Sequence, residues 1–340
     1  MAGEFKAKVG FLGGGNMAKA MAKGFIESKT VNPANIIVSA TTEKTLSLWK
    51  VMLIRLGLDR GRRVISALLF WHVGKPREKY CCPTTISHHE TLAKKEKLPP
   101  PKLGHFFYFI FQEMGCQTTL VNKEVVEHSD VIFIAVKPHL VIQVAQEIES
   151  SVDQSKHLIV SIAAAITTDV IEAHLPRSRV IRCLPNLACA VQCGIFAYCR
   201  GKHIQEKDVE LIHKLLGTSG LCTEIKESYS NALSSVSGCG LGFVGLVMEA
   251  MSDGGVRTGL PRALSTELVT QTLIGAARLV QATGKHPAQL KDEVCSPGGT
   301  TIAGIQVLER SGLRSALIDA VDAATKRAVE IAEAQKAKEK

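Results

Sequence analysis

KVGFLGGGNMAKAMAKGFIES, Lys8 to Ser28, is the stretch on which the fold turns. Val9, Phe11 and Leu12 form a short apolar run that leads directly into Gly13-x-Gly15-x-x-Ala18. Helical periodicity follows through Met17, Met21, Phe25 and Ile26. A strand, a glycine turn and a helix in that order suit a pyrophosphate. The first glycine makes a tight turn, the second leaves the backbone open, and Ala18 lets the helix lie close to its strand. The N–H groups at the helix start would then receive the phosphates. The same residues can serve as a plain structural turn, but their position between a strand and a helix favours a dinucleotide site.

The following stretch, NIIVSATTEKT, carries the next strand, Ile36 to Val38. Enzymes selective for NAD place an acid at its end, on the ribose 2′-hydroxyl. Here Ser39, Ala40, Thr41 and Thr42 come first, then Glu43 and Lys44. Hydroxyls with a nearby lysine suit a 2′-phosphate, so the expected cofactor is NADPH, with NADH possible. Further strands are expected at Val131 to Val136, which ends in Lys137-Pro138, at Leu158 to Ile162, and in RVIRCLPN. Their alternation with helical segments implies a parallel sheet with crossovers. From Ser228 onward the chain changes character to long Ala-, Gly- and Leu-rich periodic segments without clear strands. The expected fold is therefore α/β: a Rossmann-type sheet domain over residues 1–225 and an all-helical dimerisation and substrate domain over 226–340.

Within the helical part, Ser296-Pro297-Gly298-Gly299-Thr300-Thr301 precedes a helix. Two glycines leave backbone N–H groups unobstructed at a helix start, where a small carboxylate would be held. An ordinary cap with Thr300 at the N-cap position reads equally well on these residues.

The 340 residues carry a net charge of +9, which raises a nucleic-acid hypothesis. The charge is local: Val51 to Gln112 holds 11 Lys and Arg against 4 Asp and Glu, and the rest of the chain holds 30 against 28. No nucleic-acid partner is expected. FFYFIF, Phe106 to Ile110 and Phe111, is far too short for a bilayer span, which needs roughly 20 apolar residues. No membrane partner is expected either. The ten cysteines include no CxxC pair and no histidine-matched spacing, so no metal site is expected. Unpaired thiols and an apolar run that begins by Val9 point to the cytoplasm.

Taken together, GFLGGGNMAKAMAKGF, HSDVIFIAVKPH, RVIRCLPN, VSGCG, DGGVRTGLPR, HPAQLKDEVCSPGGTTI and GLRSALIDAVDAAT resemble the pyrroline-5-carboxylate reductases. Within that family, SATT, the GC-x-TT of Gly115 to Thr119 and CSPGGTTI are most similar to the cytosolic third vertebrate form. The resemblance covers the chain except Val51 to Gln112. Removing that block joins TLSLWK to EMGCQTTLVNKE in register. FFYFIFQ is what a polypyrimidine tract and acceptor AG give when translated, and Lys50-Val51 can be encoded across a donor GT. We therefore read residues 51–112 as translated intron sequence, in preference to a long unstructured loop, which is uncommon in a compact domain.

The resemblance implies NADPH-dependent reduction of L-1-pyrroline-5-carboxylate to L-proline, the last step of proline biosynthesis. It implies that Leu12, Gly13, Gly14, Gly15, Asn16 and Met17 hold the pyrophosphate, with Ala40, Thr41, Thr42 and Lys44 near the adenosine ribose. Asn122, Ala135, Val136, Lys137, Pro138, Ala163 and Ala164 would flank the cofactor. Lys137 could be a base, although a backbone-positioning role suits a strand end beside proline better. Substrate would meet Glu227, Ser296, Gly298, Gly299, Thr300 and Thr301. Backbone amides at Gly298 to Thr300 would bind its carboxylate, and the Thr301 hydroxyl, the catalytic group, would bond the ring nitrogen. The family also implies a homodimer through the helical domain and a larger homo-oligomer. Ala165, where a glycine is expected, Glu293, Cys239 and Leu241 depart from the family pattern. A hydroxyacid dehydrogenase of the same two-domain plan is the alternative enzyme, but Ser228 to Val256 lacks the lysine it would need. A non-catalytic NADP-binding scaffold is the alternative outside enzymes.

Overall fold

The computed structural model describes residues 6–39 and 109–338, with side chains as far as 334. The chain divides into two compact units, Met1–Ser228 and Tyr229–Lys340, a few residues beyond the boundary expected at 225/226.

The first unit is built on an eight-stranded sheet. Its strands are β1 (Val9–Leu12), β2 (Ile36–Ser39), β3 (Gln117–Thr119), β4 (Val131–Ile134), β5 (Leu158–Ser161), β6 (Arg179–Pro185), β7 (Gly194–Arg200) and β8 (Gly220–Glu224). They lie in the order β3-β2-β1-β4-β5-β6-β7-β8. All neighbours pair in parallel except β6 and β7. The chain runs outward in one direction from β1 to β3 and in the other from β4 onward. The β1–β4 boundary is therefore the switch point, outside whose strand ends such sheets bind ligands.

Both faces are covered, as the unbroken burial of β1, β2, β4 and β5 requires. Helix α1 (Asn16–Glu27) presents Met21 and Phe25 to a face formed by Val9, Phe11, Phe133 and Val160. The Phe11 and Phe133 rings stack at 5.0 Å, and Phe25 lies 6.1 Å from Phe133. The other face carries Leu12, Ile132, Ile134 and Ile159. It packs under α2 (Asn122–Glu127), α3 (Val141–Ile148) and α4 (Thr168–His174), and α5 (Glu206–Leu216) completes the unit.

Three strands go beyond the sequence reading, and two come out shorter. β3 is a three-residue, largely polar edge, so it has no apolar run to betray it. β7 is the antiparallel addition, buried along most of its length, and β8 is an exposed edge beyond it. β4 stops at Ile134 and β5 at Ser161, so Ala135, Val136 and Ile162 belong to the loops that follow.

Most of the expected insertion lies outside the described residues, but its last residues do not. Residues 109–113 are helical, Phe111 is completely buried in the core beside Gly14 and Val38, and Gln112 Nε2 donates to Thr118 Oγ1 at 3.1 Å. In the full-length chain an aromatic from the end of the block thus fills a core position.

The second unit is helical. A short helix α6 (Ser230–Leu233) runs through a π turn, Ser234–Cys239, into α7 (Gly240–Arg257). Then follow α8 (Arg262–Thr283), α9 (Pro287–Val294), α10 (Thr300–Arg310) and α11 (Leu313–Lys338). α7 and α8 form a hairpin pinned by Ser265 Oγ, which donates to the Ser252 carbonyl at 2.8 Å.

Candidate functional site

At the carboxyl end of β1 the chain must turn without a side chain. Gly13 has φ 101, a left-handed value, and a Cβ there would meet Val136 and the Ala135 carbonyl at about 3 Å. Gly15 forms the N-cap of α1 in extended conformation, and no side chain caps the helix. The N–H groups of the first turn have no partner within the helix, and no acidic residue occupies that turn. A Cβ added to Gly15 would meet no protein atom within 4 Å. This is an open, positively polarised helix start of the kind that receives a phosphate.

Leu12 is completely buried and contributes only its backbone, while Asn16 is exposed and Met17 half-buried. The loop after β4 lies alongside: the Ala135 N–H donates to the Leu12 carbonyl at 2.9 Å. Ala135, Val136 and Pro138 are half-buried and Lys137 is exposed. Lys137 begins a 3-10 turn, accepting from the Leu140 N–H at 2.9 Å, so its backbone shapes the loop. The loop after β5 holds Ala163, buried, and Ala164, exposed. Ala165, where a glycine was expected, has φ 65. The left-handed conformation costs an alanine about 1 kcal/mol, which is the physical reason for a glycine there. Ala40, Thr41, Thr42 and Lys44 lie outside the described residues.

Two site residues behave differently from the sequence reading. Ser39 was counted among hydroxyls facing a phosphate. It is instead completely buried, accepting from the Gly13 N–H at 3.2 Å and donating to Asn122 Oδ1 at 2.6 Å. Asn122 is buried as well, and its Nδ2 donates to Glu147 Oε2 at 2.9 Å, so its influence on the site passes through those partners. Neither link is visible in sequence, because the partners are distant along the chain.

Glu227 belongs to the sheet unit. Its carboxylate accepts from Arg182 Nη1 at 3.0 Å and from the Thr168 N–H and hydroxyl at 3.2 Å each. Arg182 is almost completely buried, and a buried guanidinium requires such a partner. Glu227 thus caps α4 from a distance and neutralises Arg182. These two partners were missed, although an arginine inside the apolar run RVIRCLP is itself a signal that an acid must lie nearby.

In the helical unit, Ser296 to Gly299 form a tight turn into α10. The Gly299 N–H donates to the Ser296 carbonyl at 3.0 Å, and Gly298 has φ 64. A Cβ on Gly299 would strike Ser296 Oγ. The N-cap is Gly299, not Thr300, and no side chain caps the helix. The alternative of an ordinary threonine cap therefore fails. Thr300 is exposed in the first turn, Thr301 is half-buried, and Ser296 and Gly298 are exposed. As at α1, a glycine-led helix start is left with unsatisfied donors and no acid in its first turn. Among the described residues no cluster of His, Cys, Asp and Glu could hold a metal ion.

Two family models match the chain. One, described as pyrroline-5-carboxylate reductase dimerisation, spans residues 227–331. The other, described as NADP oxidoreductase coenzyme F420-dependent, spans 8–56 and 109–165, passing over the block between. Pyrroline-5-carboxylate reductase 3 of Macaca fascicularis is 34% identical over 97% of this chain and 98% of its own length. Its Danio rerio counterpart is 38% identical over 98% and 94%. Among solved structures, the NADP-bound pyrroline carboxylate reductase of Plasmodium falciparum matches with a TM-score of 0.69 at 25% identity, covering 96% of this chain and 98% of that one. With relatives this similar along nearly its whole length, and with both glycine-led helix starts in place, the chain belongs to the pyrroline-5-carboxylate reductase family.

Proposed function

We propose that the protein reduces L-1-pyrroline-5-carboxylate to L-proline with NADPH, the last step of proline biosynthesis. The observation that carries this reading is the pair of uncapped, acid-free helix starts, one in each unit, led by Gly15 and Gly299. The first fits a dinucleotide: the turn is closed by Gly13, and the space where a Gly15 side chain would stand is empty of protein. NADPH, when bound, supplies the hydride that reduces the carbon of the C=N bond. Gly13 to Met17 would receive the pyrophosphate, while Ala135 to Pro138, Ala163 and Ala164 would line the cofactor's flank. The NADP-oxidoreductase model match supports the same assignment.

At the second start, the backbone N–H groups of Gly298 and Thr300 would hold the substrate carboxylate, the Gly299 N–H being taken by the Ser296 carbonyl, and Thr301 Oγ1 would bond the ring nitrogen. A protonated cyclic imine is already electrophilic, so the protein's task is orientation more than acid catalysis. Glu227, already engaged by Arg182 and Thr168, would act on the substrate side through charge and position.

Thr301→Ala is the test. Turnover of pyrroline-5-carboxylate should fall at least about tenfold, the scale of a positioning contact, with NADPH affinity unchanged. Unaltered turnover would remove Thr301 from the mechanism.

The dimerisation match implies pairing of subunits, and we infer that the pair is a homodimer that assembles further. A cytosolic location belongs to the same proposal. It is supported by the eight described cysteines, none of them in a disulfide. We also propose that residues 51–112 are translated intron sequence, a reading supported by the family match, which passes over 57–108.

A further inference from the structure

Beneath the glycine turn runs a chain of buried polar groups whose direction is fixed at both ends. The Gly13 N–H can only donate, and it donates to Ser39 Oγ at 3.2 Å. The Ser39 hydroxyl proton has two acceptors in reach, Asn122 Oδ1 at 2.6 Å and the Phe11 carbonyl at 3.5 Å, and the much shorter contact carries it to Asn122. That orients the amide so that Nδ2 faces Glu147 Oε2, at 2.9 Å, and a carboxylate can only accept. Turning the Asn122 amide over would send the Ser39 proton to the more distant Phe11 carbonyl and place a carbonyl oxygen against a carboxylate. Four elements are joined by this path: the β1 turn, the end of β2, the start of α2 and the surface of α3.

Ser39 and Asn122 are buried, so neither can exchange its partner for water without cost, whereas Glu147 stands at the exposed end. We propose that Glu147 is a positioning residue for cofactor binding: by fixing the Asn122 amide it fixes Ser39, and through Ser39 the Gly13 turn that receives the pyrophosphate. The inference rests on the NADPH reading above. Glu147 reaches the cofactor only through these residues.

The experiment uses the whole chain and four variants, with NADPH titrated by nicotinamide fluorescence and steady-state kinetics measured in parallel. Glu147→Leu should weaken NADPH binding about 5- to 10-fold, the loss of one hydrogen bond to a charged acceptor, and leave the KM for pyrroline-5-carboxylate unchanged. Glu147→Gln keeps an accepting oxygen and should bind within about twofold of the parent. Ser39→Ala breaks the middle link with little change of volume. Combining it with Glu147→Leu should cost no more than the worse single change, because members of one path do not add. A Glu147→Leu variant that binds NADPH like the parent, or a double variant whose losses sum, overturns the proposal. A parent that binds no NADPH overturns it together with the functional reading. A parent that binds normally while all variants match it overturns this inference alone.

Discussion

The two units bury their apolar residues in opposite ways. In the sheet unit two continuous clusters, one on each face, enclose Phe11, Phe25, Phe133, Leu12, Ile132 and Ile134 completely. In the helical unit every described residue that is buried is a serine: Ser230, Ser235, Ser237, Ser252 and Ser265. Leu246 is 68% exposed and Ile318 63%, and Leu241, Leu268, Leu279 and Val307 are exposed along α7, α8 and α10. An apolar hollow of about 410 Å³ between α8 and α9 lies open, lined by Ala276, Leu279, Val280, Pro287, Leu290 and Val294. One unit is folded by its own core. The other has the composition of a core without the enclosure, which is what a chain paired through this region would look like when taken singly. The helical run Glu227–Arg257 is even long and apolar enough, by length and composition, to cross a bilayer. The dimerisation match over 227–331 gives that apolar surface another use.

The largest effect should come from breaking this contrast on its helical side. Leu246→Glu combined with Ile318→Glu puts charge onto two of the most exposed apolar positions, and light scattering should report loss of the oligomer with collapse of activity. An unchanged mass would mean that these residues face no partner. On the sheet side, Phe133→Ala removes the ring stacked on Phe11 and should cost about 3–5 kcal/mol in urea unfolding. That loss should be independent of protein concentration, unlike the first. A loss below about 1 kcal/mol would mean that the aromatic stack collapses without consequence.

A smaller effect sharpens the comparison by pH. His157 is buried at the lower end of the sheet unit, and its Nδ1 accepts from the Asp153 N–H at 2.9 Å. Burial, and then the neighbouring Lys156, hold its pKa below the ordinary 6.5. The unfolded chain therefore binds the proton first. Stability from this group is complete above about pH 6.5 and is lost as pH falls toward the folded value. His157→Gln should flatten the slope of unfolding free energy between about pH 6.5 and 5. An equal slope in both proteins would show that His157 titrates normally.

How much of this was legible follows from where the determinants lie along the chain. β1, its glycine turn and α1 are contiguous, so spacing alone placed them. The helical unit was legible from periodicity and small residues, and Gly298-Gly299 as a turn into a helix, although the Gly299 amide closes that turn on Ser296 instead of standing open. The polar edge β3 and the antiparallel β7 were not, because no local pattern distinguishes them. The roles of Ser39 and Asn122 were misread since their partners stand 83 and 25 residues away. Glu227 illustrates the same limit: its acidic character was evident, but its capture by Arg182 is a tertiary fact. Phe111 adds a different lesson. With residues 51–112 removed, Trp49 stands two places before Glu113, as Phe111 does in the longer chain. An aromatic two places before Glu113 is kept under either reading, so the burial of Phe111 does not move the end of the block from Gln112.

The central claim, that the turn of Gly13 to Gly15 is the cofactor seat, has a direct test in NADPH titration of Gly15→Val. Gly15 has φ −76 and ψ −175, which any residue can adopt, and its missing Cβ faces no protein atom within 4 Å. The account predicts an unchanged melting temperature and NADPH binding weakened by at least about tenfold, because only the pyrophosphate would collide with the new side chain. Undiminished NADPH affinity in that variant would contradict it.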